Sequence, residues 1–160
     1  MEIYHLHVWA CGDLDESVIL DSSVHPPIIK NAGLIIDSWP SDDLFYSFPG
    51  FFVTDRLKSI LEYWGFNELK FTKVERIIKG FNFMNNFPNA QLPILWLLET
   101  DPYSVSNNIS NWQRKYLIVT KKALEYLRDN HVTHAEHNYI GSDIEEYFTS
   151  DRKDFWLDAF

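Results

Sequence analysis

Cys11 is the only cysteine in the chain, so no internal disulfide can form and no paired-cysteine zinc site is available. The longest apolar stretch, around Leu92 to Leu98, is broken by Pro93. It falls short of the roughly 18 residues a membrane-spanning helix needs. The opening MEIYHLHVWA has no basic segment leading into a long apolar core. The expectation is therefore a cytoplasmic protein without a secretory leader. Bases are scarce at the start: residues 1–50 hold eight acids and one base, Lys30, a local charge of −7. Nucleic-acid binders need clustered Lys and Arg to displace counterions, and this half of the chain lacks them. There is no G-x-S-x-G, no phosphate-binding G-x-x-x-x-G-K-[ST] and no G-x-G-x-x-G. Three large enzyme classes thereby lose their main support.

What is present is aromatic and acidic. In 160 residues there are 12 Phe, 8 Tyr and 6 Trp, more rings than a core of this size requires, so some should be exposed to a partner. The length suits one domain, residues 1–160, that buries about two thirds of its unfolded surface. The net charge of −9 is uneven: +2 over residues 51–80, and −2 over each of 81–110 and 111–160. A surplus of acids keeps an aromatic-rich protein soluble, and it also attracts a basic protein and speeds encounter with it.

The chain is organised around two similar stretches. In Gly50 to Phe71, the apolar run Phe51–Phe52–Val53 is followed by Thr54, whose hydroxyl suits a helix N-cap. Leu57, Ile60, Leu61 and Trp64 then make one helical stripe, and Gly65 stands where a left-handed C-terminal residue is usual. The same grammar returns 66 residues on: Val119–Thr120, then Ala123, Leu124 and Leu127, with Asn130 as the stop. So few positions are identical that the sequence permits either a duplication or two ordinary strand–helix–strand units.

Around these modules, Glu2 to Ala10 reads as a first strand with Tyr4, Leu6 and Val8 on one side and His5, His7 and Trp9 on the other. Gly12 with its neighbouring acids reads as a turn, Asp21 to Pro27 as loop, and Gly33 to Asp37 as a buried strand. Ser38 to Gly50 is too broken for a helix and too aromatic for a plain linker. Lys70 to Lys79 reads as one strand, Gly80 to Asn89 as loop or edge strand, and Gln91 to Glu99 as a central strand. Thr100 to Gln113 reads as a long polar connection. Ser142 and Glu145 form a capping box ahead of a short helix with Ile144, Tyr147 and Phe148 inward, and the final DFWLDAF is apolar enough to dock. The fold class expected is α+β: a mixed, mostly antiparallel sheet with two strand–helix–strand modules and a short C-terminal helix.

Catalytic or metal-binding readings are weak. His131, His134, Glu136 and His137 diverge on a strand, where His134 and Glu136 share a face and His137 points away. His5 and His7 share a strand face, but nothing identifies a third ligand. Asp42–Asp43 and Glu145–Glu146 are adjacent pairs that point apart on a strand. No catalytic residue, cofactor or metal is expected.

The two modules and the segment before them resemble a family of bacterial immunity proteins from polymorphic toxin systems. The matching residues are Asp37, Trp39 and Pro40; then Val53, Thr54, Arg56, Leu57, Lys58 and Leu61; then Gly65, Phe71 and Val74, with Val119–Thr120 through Leu127 as a looser second copy. Related domains carry paired CxxC zinc motifs that this chain lacks, so no zinc carries over. The resemblance implies a non-catalytic protein that binds and occludes one cognate toxin; the scarcity of clustered bases and of long apolar runs adds the expectation of no nucleic-acid or membrane partner. The toxin should be basic, given the acidic chain. The expected contact residues are Asp37, Trp39, Asp42, Asp43, Phe45, Tyr46 and Phe48, with Asp143, Glu145 and Glu146 of the C-terminal helix. A small His- or metal-dependent enzyme and a prophage-type acidic DNA mimic are the alternative readings.

Overall fold

The computed structural model describes residues 1–38, 43–104, 107–132, 136–141 and 144–149. In chain order the elements are β1 (Ile3–His7), β2 (Gly12–Leu14), β3 (Leu20–Asp21), β4 (Ile28–Ile29), β5 (Gly33–Ile36), β6 (Leu44–Ser47), β7 (Gly50–Thr54) and α1 (Asp55–Trp64). They continue with β8 (Lys70–Lys73), β9 (Arg76–Lys79), α2 (Phe81–Asn86), β10 (Leu95–Glu99), β11 (Ile109–Trp112), β12 (Tyr116–Thr120), α3 (Lys121–Asp129), β13 (Glu136–Gly141) and α4 (Ile144–Thr149). The fold is α+β, with mostly antiparallel sheets and a short C-terminal helix. No helix among the described residues is long and apolar enough to cross a membrane.

Two four-stranded sheets have the same plan. One runs β6-β7-β10-β8 and the other β11-β12-β1-β13. In each, a hairpin leads into a helix, and the strand after the helix is separated from the hairpin by one antiparallel central strand. The strands flanking each helix are therefore parallel to each other, a split β-α-β crossover. The details also coincide. Thr54 N–H donates to Asp43 O at 2.9 Å and Thr120 N–H to Asn108 O at 3.0 Å. Asp55 N–H donates to Ile94 O at 2.9 Å and Lys121 N–H to Glu2 O at 3.0 Å. The Thr54 hydroxyl accepts from Leu57 N–H, and that of Thr120 from Ala123 N–H, both at 3.3 Å. The two modules are structural repeats of one unit.

Strand alternation divides the apolar residues between cores. Phe51 and Val53 of β7, Leu117 and Val119 of β12, Leu6 and Leu98 share one core with Leu57 and Leu61 of α1 and Ala123 and Leu127 of α3. The helices meet there: the Trp64 and Tyr126 rings lie 3.9 Å apart, and the Tyr126 hydroxyl donates to Ile60 O at 2.9 Å. Phe52, Leu95 and Leu97 point to the other face, into a second core with Leu34, Ile36, Phe45 and Phe83. Ile3, Ile118 and Ile140 form a third core beneath Ile144 of α4.

Several expectations are corrected. Gly12 lies in β2, not a turn: a Cβ there would sit 1.9 Å from Ile35 O, so the glycine permits close strand approach. Lys70 to Lys79 is two strands in two sheets, because Val74 N–H still bonds Leu95 O while Glu75 N–H bonds Ala32 O, beside β5. Gly80 to Asn89 contains α2, whose start is capped from afar by the Asp37 carboxylate, accepting from Asn82 N–H at 3.1 Å. The polar connection ends at Asn108, and Ile109–Trp112 is a buried strand. Its polar residues are tolerated because Ser110 Oγ–H donates to Asp101 O and Asn111 N–H to Thr100 Oγ1. The capping Ser142 and the terminal DFWLDAF lie outside the described residues.

Candidate functional site

The segment expected to face a partner is more ordered than its broken sequence suggests. Leu44–Ser47 forms β6 because its alternate residues have a hydrophobic partner strand in β7, with Phe45 opposite Phe52 and Tyr46 opposite Phe51. Phe45 is 2% exposed and stacks on Phe52 at 5.6 Å, so it belongs to the core and not to a contact surface. Burial won because a large apolar ring on the inward side of a paired strand has no lower-energy place. Tyr46 is half-buried against Phe51, and that burial pushes its hydroxyl up to about 12.

The two described acids of this segment have structural partners. The Asp37 carboxylate accepts from both the backbone and the side chain of Asn82. The Asp43 carboxylate accepts the Thr54 hydroxyl at 2.6 Å and pairs with Arg56, which also reaches across to Asn130 O at the end of α3. These carboxylates hold helix starts in place, which sequence spacing alone did not reveal. Trp39, Asp42 and Asp143 lie outside the described residues, as does the Glu146 side chain; Glu145 is exposed on α4.

What remains at the surface is an aromatic edge centred on Tyr46. Phe48 is 53% exposed and meets the Tyr46 ring edge-on at 6.5 Å. Trp9, 57% exposed, is joined to β6 through its backbone, its carbonyl accepting from Tyr46 N–H at 3.0 Å. β2 is tied to this edge, since Ser47 Oγ–H donates to Gly12 O at 2.9 Å, and Asp13 in β2 and Glu16 after it are exposed. Sequence reasoning put Trp9 on a strand face with the histidines but not in this patch. The bridge between Ala10 and Tyr46 that places it there joins segments with no sequence signal for pairing.

The histidines separate by environment. His5 is buried, with the His7 ring at 4.2 Å and the Tyr116 and Phe148 rings edge-on at 5.6 and 5.2 Å. Burial first, and then the nearby His7, pushes its pKa down to about 3, so it stays neutral. His131 is exposed at the end of α3, and His134 and the His137 side chain lie outside the described residues. Among the described residues, no group of three His, Cys, Asp or Glu side chains is placed to hold a metal ion. Cys11 is buried.

Compared with protein-family models, with characterised proteins and with solved structures, the chain matches none, and its functional reading rests on its own residues.

Proposed function

We propose that this is a toxin-neutralising immunity protein that binds a cognate, basic bacterial toxin in the cytoplasm and occludes it without catalysis. The observation that carries the reading is the pair of exposed rings, Trp9 and Phe48, joined to Tyr46 by a backbone hydrogen bond and a ring contact in the acidic part of the chain. Large rings beside acids suit a protein partner: rings that become desolvated at an interface supply most of the affinity, and charges set the encounter rate. The resemblance of the strand–Thr–helix modules to immunity proteins adds the class of partner.

The test is co-expression with the product of the adjacent reading frame. A stoichiometric complex and restored growth of cells expressing that product are expected. Within the complex, Phe48→Ala should speed dissociation about tenfold or more. Asp13→Lys with Glu16→Lys should slow association several-fold, and more so at low salt. A neighbour product that neither binds nor is neutralised would overturn the proposal; unchanged rates in folded variants would move the interface off this edge.

A further inference from the structure

A second feature lies at the seam between the two repeat units. A cleft of about 170 Å³ opens where the ends of β7 and β10 meet the β11–β12 turn. An apolar cavity of about 150 Å³ is enough to hold a benzene molecule, so this space suits a ligand of similar or slightly larger size. Pro27, Ile29, Pro49 and Leu97 give it apolar walls, and Asn111 and Arg114 supply polar groups.

Arg114 is the cation that lines the cleft. It is half-buried, and no carboxylate of the described residues comes within ion-pair distance. This is in a chain of net charge −9. Its Nε–H donates to Pro26 O at 3.0 Å, and its Cζ lies 5.9 Å from the Tyr103 ring centre. Those contacts fix the guanidinium while leaving its two terminal nitrogens to form a fork that matches a carboxylate. The turn carrying it is strained: Gln113 and Arg114 have φ of 52° and 56°, where hairpin turns favour Asn or Gly. Strain held at a pocket marks a position selected for something other than stability. Glu99 also lines the cleft, but its carboxylate is drawn toward Thr72 and Lys70. Asn111 is 7% exposed, and its carboxamide oxygen is buried without a donor. With so little surface that oxygen is out of a ligand's reach, which leaves the Arg114 guanidinium as the polar group that recognises one.

We propose that this cleft binds a carboxylate carrying an apolar side chain. Its carboxylate meets the Arg114 fork, and its side chain lies against the proline and leucine walls. A free amino acid and the C-terminal residue of a peptide share this chemistry. Inorganic phosphate fits less well, because a dianion gains nothing from apolar walls. The proposal does not depend on the toxin reading.

Amide NMR spectra of the full chain, titrated with L-leucine, isovalerate, inorganic phosphate and Gly-Gly-Gly-Leu with a free or amidated end, test the proposal. Saturable shifts at the Gly50, Leu97, Asn111 and Arg114 amides are expected with leucine or with the free-ended peptide. Leucine alone would identify a free amino acid, and the peptide a chain terminus. Isovalerate, which keeps a carboxylate and a branched apolar chain, should shift the same amides, and Arg114→Gln should weaken binding at least tenfold. Should Arg114→Gln fail to fold, Ile28→Glu, which places a like charge on the cleft wall, should give the same loss. No saturable binding by leucine or peptide would overturn the site. So would equal binding of the amidated peptide or of phosphate, or full affinity in the variants.

Discussion

At the scale of single residues, the two capping threonines are alike in sequence but not in surroundings. Their local grammar predicts equal losses on truncation, about 1 kcal/mol each. The structure gives Thr54 a charged partner, Asp43, at 2.6 Å, while Thr120 reaches only the neutral Asn108 oxygen at 3.2 Å. Hydrogen bonds to charged groups are about twice as strong. Thr54→Ala should therefore cost about 2 kcal/mol and Thr120→Ala about 1 kcal/mol, read from urea melts. Equal losses would mean that the Asp43 contact adds nothing. His5 makes a second prediction. Its pKa is lowered to about 3 in the folded protein against 6.5 ordinarily, so the unfolded chain binds the extra proton. Its contribution is complete above pH 6.5 and is lost as pH falls toward 3. The limiting slope is about 1.4 kcal/mol per pH unit. His5→Phe should flatten the acid side of the stability profile relative to the parent; parallel profiles would refute the assignment.

At the scale of elements, the sequence was legible wherever the signal was local. Both long helices begin at their threonines, and α1 ends at Gly65 with φ 79°. The strands β5 and β10 lie within the expected runs, β10 starting two residues after Pro93, which cannot donate to the ladder. What was missed depends on distant partners. The helix α2 has no cap of its own; a Cβ at Gly80 would meet Asp37 Oδ1 at 2.5 Å, so that close approach lets Asp37 cap it from 45 positions away. The strand β11 looks like loop because its polar residues are satisfied by the Thr100–Asp101 segment. The candidate surface was misread for the same reason, since Phe45 turns inward only once β6 is paired with β7. The long-range cap is testable. Asp37→Ala should cost about 1 kcal/mol. It should also raise hydrogen exchange selectively at residues 82–87, while the β7 and β10 amides stay protected. A uniform rise in exchange would show that Asp37 acts on the whole fold instead.

At the scale of the whole molecule, the two repeat units exchange their central strands. The hairpin, helix and following strand of the first unit come from residues 44–73, yet their central strand is β10, which lies beyond α2. The second unit takes β1, from the start of the chain. Neither half therefore contains a complete four-stranded sheet, and the shared core mixes side chains of both, Leu57 and Leu61 with Leu117 and Leu127. Such long-range pairing makes folding slower, because distant segments must meet before any sheet is complete. It also couples the halves into one transition, so tryptophan fluorescence and far-UV circular dichroism should melt together. Fragments 1–89 and 90–160, cut in the loop after α2, each lack the strand between their two outer strands and should be largely unfolded alone. Mixed in equal amounts, they should recover the parent dichroism as each receives its strand from the other. Cutting removes the intramolecular advantage, so recovery should depend on concentration. A fragment that folds by itself with parent-like exchange protection, or two separate melting transitions in the intact chain, would refute this interdependence.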